Sequence, residues 1–153
     1  MRYSYIYNTL IGDITITTDD DFLISIKFRE DIDGIKKETA LIKNIKKQID
    51  EYLVGNRTEF DLPIKINGTN FQTKVWNELM KIEYGTCISY QELAERVENK
   101  NYSRAVGMAN NKNPIPIIIP CHRVIGKNKN LVGYAGGLDK KKKLLEIEKA
   151  VNF

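Results

Sequence analysis

The chain's single histidine, His122, directly follows Cys121, one of only two cysteines, inside the run IIIPCHRVIG. A thiol beside an imidazole is the pairing a cysteine nucleophile needs, since sulfur attacks as the thiolate and a base must take its proton. Taken alone, the dipeptide is met more often as a buried structural cysteine beside a bystander histidine. Glu148 tips the balance. It lies four residues after Leu144 and three before Val151, on the apolar stripe of the last helical segment, whereas Glu146 points away. A carboxylate on a core-facing stripe is costly unless paired, and His122 is its natural partner. A ring N–H given to Glu148 fixes the tautomer and leaves the other nitrogen for the thiol proton. In an extended segment, neighbouring side chains point to opposite faces, so that proton transfer would run through a water. A free thiol titrates near about 8.5 and a cationic neighbour lowers it by about a unit or more; Arg123 and the basic surroundings are expected to act in that sense.

Several other chemistries fall away. With one histidine and two cysteines in 153 residues, and no CxxC pair, neither a disulfide framework nor a Cys/His zinc site is expected. No cofactor is called for. No apolar run reaches membrane-span length, and the start MRYSYIYNTL lacks the apolar core of a secretion signal, so the expected setting is cytoplasmic, with the thiols reduced. Cys87, in GTCISY, reads as a packed structural thiol. The net charge of +4 is uneven: residues 1–99 carry 13 Lys/Arg against 17 Asp/Glu, a balance of −4, and residues 100–153 carry 11 against 3, a balance of +8. A polyanionic partner and a solvated Lys-rich helix, DKKKKLLEIEK, explain this excess equally well.

The elements that must position these residues are readable from periodicity. RYSYIYNT, DITITT and FLISIKF alternate as strands of an antiparallel meander. Leu41, Ile45, Ile49 and Leu53, widened by Ile42 and Tyr52, mark a helix with Gly55 at its C-terminal cap. EFDLPIKIN reads as a further strand, with Pro63 favouring an edge. Phe71, Val75, Leu79 and Ile82 mark a second helix capped at Thr69 or Asn70. Ser89 and Glu92 form a capping box opening SYQELAERV, and ENKNY turns into a short helix, SRAVGMANN. Two short helices across a tight turn suggest a helix-turn-helix. The small residues Ala105, Gly107 and Ala109 imply close approach, either to a packed neighbour or to a narrow groove. The prolines of KNPIPIIIP rule out regular helix and predict a buried, extended segment delivering Cys121. KNKNLVGYAGG is a glycine-rich loop, and a last helix starts near Asp139. The expected architecture is α+β: an N-terminal antiparallel sheet with one helix over 1–68, and a mostly helical lobe with a helix-turn-helix and active-site loop over 69–153.

NPIPIIIPCHRVIG, with SRAVGMANN, ISYQELA and GYAGG, closely resembles the O6-alkylguanine-DNA alkyltransferase family across roughly Phe71 to Lys149. The resemblance implies a monomeric protein that binds double-stranded DNA, flips an O6-alkylguanine out through the minor groove and transfers the alkyl group irreversibly to Cys121. It implies His122 as base through water, Glu148 as its orienter and Asn113 as brace of the active-site turn. Tyr90 would contact the base and crowd the flipped phosphate, and Tyr134 would line the pocket. The backbone of Cys121 and Val124 would accept from the guanine amino group. Arg104 would fill the vacated stack, with Ala105, Gly107 and Ala109 clearing the groove walls; Arg123 is assigned to the same DNA-facing set. Ala135 replaces a serine found in several relatives, leaving only its backbone N–H as a donor. Residues 1–70 hold no cysteine or histidine, so the zinc site of some relatives is not expected. The competing readings are a non-catalytic damage-binding protein, a regulator reading one operator, and a cysteine hydrolase. Cys121 opposes the first, and a second helix rich in Ala, Gly and Asn opposes the second.

Overall fold

The computed structural model describes residues 1–127 and 131–150. The chain divides into two compact units, Met1–Ile66 and Asn67–Phe153, and each contributes its own part of an α+β fold.

In the first unit, β1 (Tyr3–Thr9) and β2 (Gly12–Thr18) pair antiparallel in register from Tyr3↔Thr18 to Thr9↔Gly12. β3 (Leu23–Lys27) continues the meander on the far side of β2. The sheet is mixed rather than purely antiparallel, because β4 (Ile35–Lys36) adds to β1 in parallel, giving the order β3-β2-β1-β4. Two residues are too few to show an alternation. The turn into β4 depends on Gly34 at φ +84°, where a Cβ would sit 2.3 Å from the Arg2 carbonyl oxygen. EFDLPIKIN is not a strand: it touches β3 at one bridge, Leu23↔Ile64. Pro63 has no N–H to extend the ladder, and the contact is limited to Leu23 N–H to Pro63 O and Lys65 N–H to Leu23 O.

α1 (Ala40–Leu53) starts at Thr39, whose side chain accepts from the Ile42 N–H. It ends in a Schellman motif: Asn56 N–H reaches Glu51 O and Gly55 N–H reaches Tyr52 O, with Gly55 at φ +83°. Ile42, Ile45, Ile49 and Tyr52 bury completely, as do Ile14 and Ile16 of β2. Each such side chain contributes about 1.5–3 kcal/mol. Leu41, expected in the stripe, is only half-buried, and Gln48 takes a buried place instead. Gln48 is satisfied there because its amide exchanges two hydrogen bonds with the Asp61 backbone, 3.1 and 2.9 Å.

The second unit opens with α2 (Asn70–Leu79), closed at its start by a reciprocal Thr69–Gln72 capping box. Val75, Trp76 and Leu79 face inward, and Ile82 is buried beyond the helix end. β5 (Ile88–Ser89) runs straight into α3 (Tyr90–Val97). Ser89 caps α3 by accepting from the Glu92 N–H at 3.0 Å, while the Glu92 carboxylate turns to Arg96. A 3-10 turn, Lys100–Tyr102, leads into α4 (Ser103–Asn111). Leu93, Ala94 and Val97 of α3 and Val106 and Ala109 of α4 are buried, so this is a packed helix-turn-helix. β6 (Val124–Ile125) pairs in parallel with β5, Ile88↔Val124 and Ser89↔Ile125. α5 (Leu138–Glu148) closes the unit; Val151, expected on its stripe, lies outside the described residues. Among the described residues no helix is long and apolar enough to cross a membrane.

Candidate active site

The segment from Asn113 to Pro120 is buried as expected but is not extended. It is a succession of turns, with Ile119 N–H bonded to Ile115 O at 2.9 Å and Ile117 at φ +75°. A β-branched residue in the left-handed region costs about 1–3 kcal/mol. Asn113 holds the turn: its Nδ2 donates to Ile119 O at 2.7 Å and its Oδ1 accepts from Ile115 N–H at 2.9 Å. Prolines that block helix and ladder still fit turn dihedrals, and the isoleucines supply the burial, with Ile115, Ile117 and Ile119 at most 1% exposed. The turns feed a 3-10 turn, Cys121–Arg123, and then β6. Because β6 lies against β5, the chain that has just left Cys121 runs beside the strand that delivers Tyr90.

Cys121 is 4% exposed and His122 wholly buried. His122 Nε2 lies 2.6 Å from Glu148 Oε2, as the position of Glu148 on its stripe predicts. Burial raises the Glu148 carboxyl, but hydrogen bonds and charge from His122 and Arg123 outweigh it and bring it down to about 2. Glu148 is therefore ionised and accepts the Nε2–H, which makes Nδ1 the basic nitrogen. Burial lowers the His122 pKa against the opposing pull of Glu148, so the ring is held neutral. The Cys121 thiol departs from expectation. Burial pushes it up to about 11, only partly offset by the Asn113 side chain and the Lys141 charge. The resting sulfur is a thiol.

Arg123 also departs from expectation. Rather than standing at the surface or against the thiol, it is 7% exposed and grips Glu148, Nε to Oε1 at 2.9 Å and Nη2 to Oε2 at 3.1 Å. Its Nη1 donates to Ile82 O at 2.6 Å, and Gly85 N–H adds a further donor to Glu148 Oε1 at 3.1 Å. A planar guanidinium matches a carboxylate bidentately. Glu148 is thus held from one side by Arg123 and presents its remaining bonding to the imidazole.

The other expected residues distribute as follows. Tyr90, half-buried at the start of α3, donates its hydroxyl to Val132 O at 3.0 Å, and burial raises that hydroxyl to about 12. Val124 is buried in β6; Tyr134 is half-buried and Ala135 exposed. On α4, Arg104 is exposed and Ala105 and Gly107 are half-buried. A Cβ at Gly107 would meet the Tyr90 ring at 3.6 Å, an ordinary contact. Ala109 does not belong to that face: it is 4% exposed, and its carbonyl accepts from Trp76 Nε1 at 2.8 Å. Helical geometry explains this, since Ala109 lies three residues from Val106 on the inward side. Cys87 is half-buried, with its thiol raised by burial. Among the described residues no group of three His, Cys, Asp or Glu is placed to hold a metal.

Sequence reasoning missed two site residues. Asn110, 2% exposed, ties α4 to the active-site turn by donating to Cys121 O at 3.3 Å. Lys141, treated as one of a solvated run, is fully buried, and its Nζ donates to Val132 O at 2.7 Å. Both sit on apolar stripes, Asn110 four residues after Val106 and Lys141 three before Leu144. The signal that singled out Glu148 also marks them.

A buried thiol beside an imidazole that a carboxylate orients, in a unit with a helix-turn-helix, is the equipment of a cysteine-nucleophile protein of α+β class. The sequence matches the family described as 6-O-methylguanine DNA methyltransferase, DNA binding domain, over residues 70–150, and its ribonuclease-like domain over residues 1–66. It is 41% identical over 152 residues to the methylated-DNA–protein-cysteine methyltransferase of Methanosarcina acetivorans, covering 95% of this chain and 97% of that one. The constitutive methylated-DNA–protein-cysteine methyltransferase of Bacillus subtilis is 40% identical, with 97% and 96% covered. The crystal structure of Mycobacterium tuberculosis OGT in complex with DNA superimposes with a TM-score of 0.89 at 37% identity, over 96% of this chain and 92% of that one. The chain belongs to the 6-O-methylguanine DNA methyltransferase family.

Proposed function

We propose that this protein repairs O6-alkylguanine in double-stranded DNA by moving the alkyl group, once and irreversibly, onto Cys121. The observation that carries this is the 2.6 Å contact between His122 Nε2 and Glu148 Oε2 directly beside the buried thiol. The near full-length likeness to methylated-DNA–protein-cysteine methyltransferases supports the choice of substrate.

In this mechanism His122, through its Nδ1 and an intervening water, takes the Cys121 proton as sulfur attacks. The neutral ring and the ionised Glu148 suit it to receive that proton, and general-base assistance of this kind is worth about 10²–10⁴ in rate. Sulfur attacks the alkyl carbon in line with the carbon–O6 bond. An S–C bond forms and the C–O6 bond breaks. The released electron pair stays on the purine, which takes up one proton and becomes guanine, while Cys121 becomes a thioether. A thioether sulfur is a poor leaving group, so the protein is consumed. Asn113 braces the turn that carries the sulfur. Tyr90, Tyr134, the Ala135 N–H and the backbone of Cys121 and Val124 surround the base.

A base within a stacked duplex cannot present its O6 carbon to the sulfur of a cysteine that is only 4% exposed, so the nucleotide must be extruded. Arg104, exposed on α4, is the side chain for the vacated stack, and Ala105 and Gly107 allow the helix to approach a minor groove about 6 Å wide. Phosphate contacts from the basic 100–153 segment would supply most of the affinity with little sequence preference. The protein acts as a monomer in the cytoplasm, where DNA is within reach and thiols stay reduced, with recognition and chemistry assigned to residues 69–153.

Incubation with duplex DNA carrying O6-methylguanine, followed by peptide mass analysis, tests this. We expect one methyl group on the Cys121 peptide and none in Cys121→Ser; unmodified Cys121 after prolonged incubation would overturn it.

A further inference from the structure

Asn110 is a buried amide with one half unused. It lies on the inward face of α4 with Val106 and Ala109, and its Nδ2 donates to Cys121 O at 3.3 Å. Among the described residues no donor reaches its Oδ1. The order of the two amide atoms follows from chemistry, because a turned amide would set Oδ1 against the Cys121 carbonyl oxygen, two acceptors with no proton between them. Burial raises the Tyr90 hydroxyl, and the Asn110 side chain draws it partway back, so the two side chains adjoin. Asn110 therefore touches two groups that the proposed function sets around the extruded base: the Tyr90 side chain and the Cys121 backbone.

A leucine has nearly the same shape and would fill this position with no polar atom to bury. An acceptor buried without a donor carries the full desolvation cost of that group, and such atoms are few in native proteins. The other buried amides among the described residues, Gln48 and Asn113, show what a purely structural amide does. Gln48 spends both halves on the Asp61 backbone, and Asn113 spends both on the active-site turn. Asn110 braces with its donor and keeps its acceptor. The neighbouring hydroxyl does not satisfy it, since the Tyr90 O–H goes to Val132 O. On an O6-alkylguanine nucleotide the alkyl group has displaced the N1 proton, so N1, N3, N7 and O6 all accept. The amino group at C2 is the one donor on that base. The Cys121 carbonyl oxygen has two lone pairs, and an amino N–H directed at the second lies beside Asn110 Oδ1, close enough for a three-centre bond.

We infer that Asn110 is a specificity-determining residue for alkyl transfer: its carboxamide holds the Cys121 carbonyl through Nδ2 and reads the 2-amino group of the extruded purine through Oδ1. This rests on the alkyl-transfer function proposed above and adds which edge of the base the site selects. A purine without that amino group covers Oδ1 and gives it no donor. It is therefore bound at a penalty that the guanine lesion does not carry.

The test compares the rates at which Cys121 is alkylated by free O6-benzylguanine and by O6-benzylhypoxanthine, two substrates that differ only in the 2-amino group. Wild type, Asn110→Leu and Asn110→Ser are measured, each first checked by thermal melting. Losing the bond to Cys121 O disturbs the turn alike for both substrates and lowers both rates, so the ratio of the two rates isolates the reading of the amino group. We expect wild type to favour O6-benzylguanine, and that preference to shrink about fivefold or more in Asn110→Leu. Asn110→Ser is too short to bring an acceptor to the same place. It should lose the preference as well, and it carries the test if the leucine variant does not fold. A wild-type ratio in either variant, with both rates reduced equally, would leave Asn110 as a brace of the turn and overturn the inference. Wild type reacting equally with the two analogues would overturn it without any variant. Failure of wild-type Cys121 to react with either would instead overturn the functional proposal beneath it.

Discussion

Arg123 grips Glu148 through Nε at 2.9 Å and Nη2 at 3.1 Å, one residue after the histidine that the same carboxylate orients. A single buried acid therefore holds two consecutive side chains of the active-site turn, and the turn cannot rotate without breaking both. Glu148→Gln should leave the guanidinium buried and without its counter-charge. Loss of one partner of such a pair costs about 3–5 kcal/mol, which at this chain length lowers Tm by about 6 °C or more. Differential scanning calorimetry checks this, and a variant melting within a degree of wild type would contradict the clamp.

Acid should destabilise the second unit in two stages. The folded pKa of Glu148 is depressed from 4.5 to about 2, so its contribution is fully present above about 4.5 and is lost as pH falls through about 2. The depression corresponds to roughly 3 kcal/mol. His122 is also lowered in the fold, so the folded state resists its protonation and stability begins to decline once pH drops below its unfolded value of 6.5. Urea midpoints measured from pH 8 to pH 2 should fall in both windows. In Glu148→Gln the lower one should vanish, and its persistence would locate the acid sensitivity elsewhere.

With a resting thiol at about 11, repair at neutral pH depends on His122 taking the proton. His122→Ala should lower the single-turnover repair rate at pH 7 about hundredfold or more. Its residual rate should rise in proportion to hydroxide activity towards about 11, whereas the wild-type rate flattens well before that. Parallel pH profiles for the two proteins would remove His122 from the proton path.

Helices and the pairing of His122 with Glu148 beside Cys121 were legible because both rest on local rules. Period-four apolar residues marked α1 and α2, cap chemistry fixed the starts of α2 and α3, and a glutamate on an apolar stripe revealed the partner of His122. The same stripe rule applied to Lys141 and Asn110, yet the lysine run also read as a solvated helix and the asparagine was passed over. Arg123 was misread because its destinations, Glu148 and Ile82 O, are remote in sequence and nothing local distinguishes a buried guanidinium from a DNA-facing one. β4 is too short to alternate. The turns of Asn113–Pro120 depend on side-chain bonds of Asn113, which proline counting cannot supply.

On α4, Arg104→Ala should slow repair of duplex DNA about tenfold or more, since holding a nucleotide out of the stack costs a few kcal/mol. The rate towards free O6-benzylguanine should be unchanged. Gly107→Ala should stabilise the helix by about 1 kcal/mol, its Cβ meeting Tyr90 at an ordinary distance, while still impairing duplex repair. Equal losses towards free base and duplex in Arg104→Ala would contradict its placement in the stack.

The central claim is that one sulfur accepts one alkyl group and is spent. Methyl-labelled O6-methylguanine duplex, added in increasing molar excess to a fixed amount of protein, measures this directly. Label on the protein should rise to a plateau of one methyl group per chain, all of it in the Cys121 peptide, and restored guanine in the DNA should match it mole for mole. Guanine formed well beyond the amount of protein, or label residing on another residue, would contradict the account.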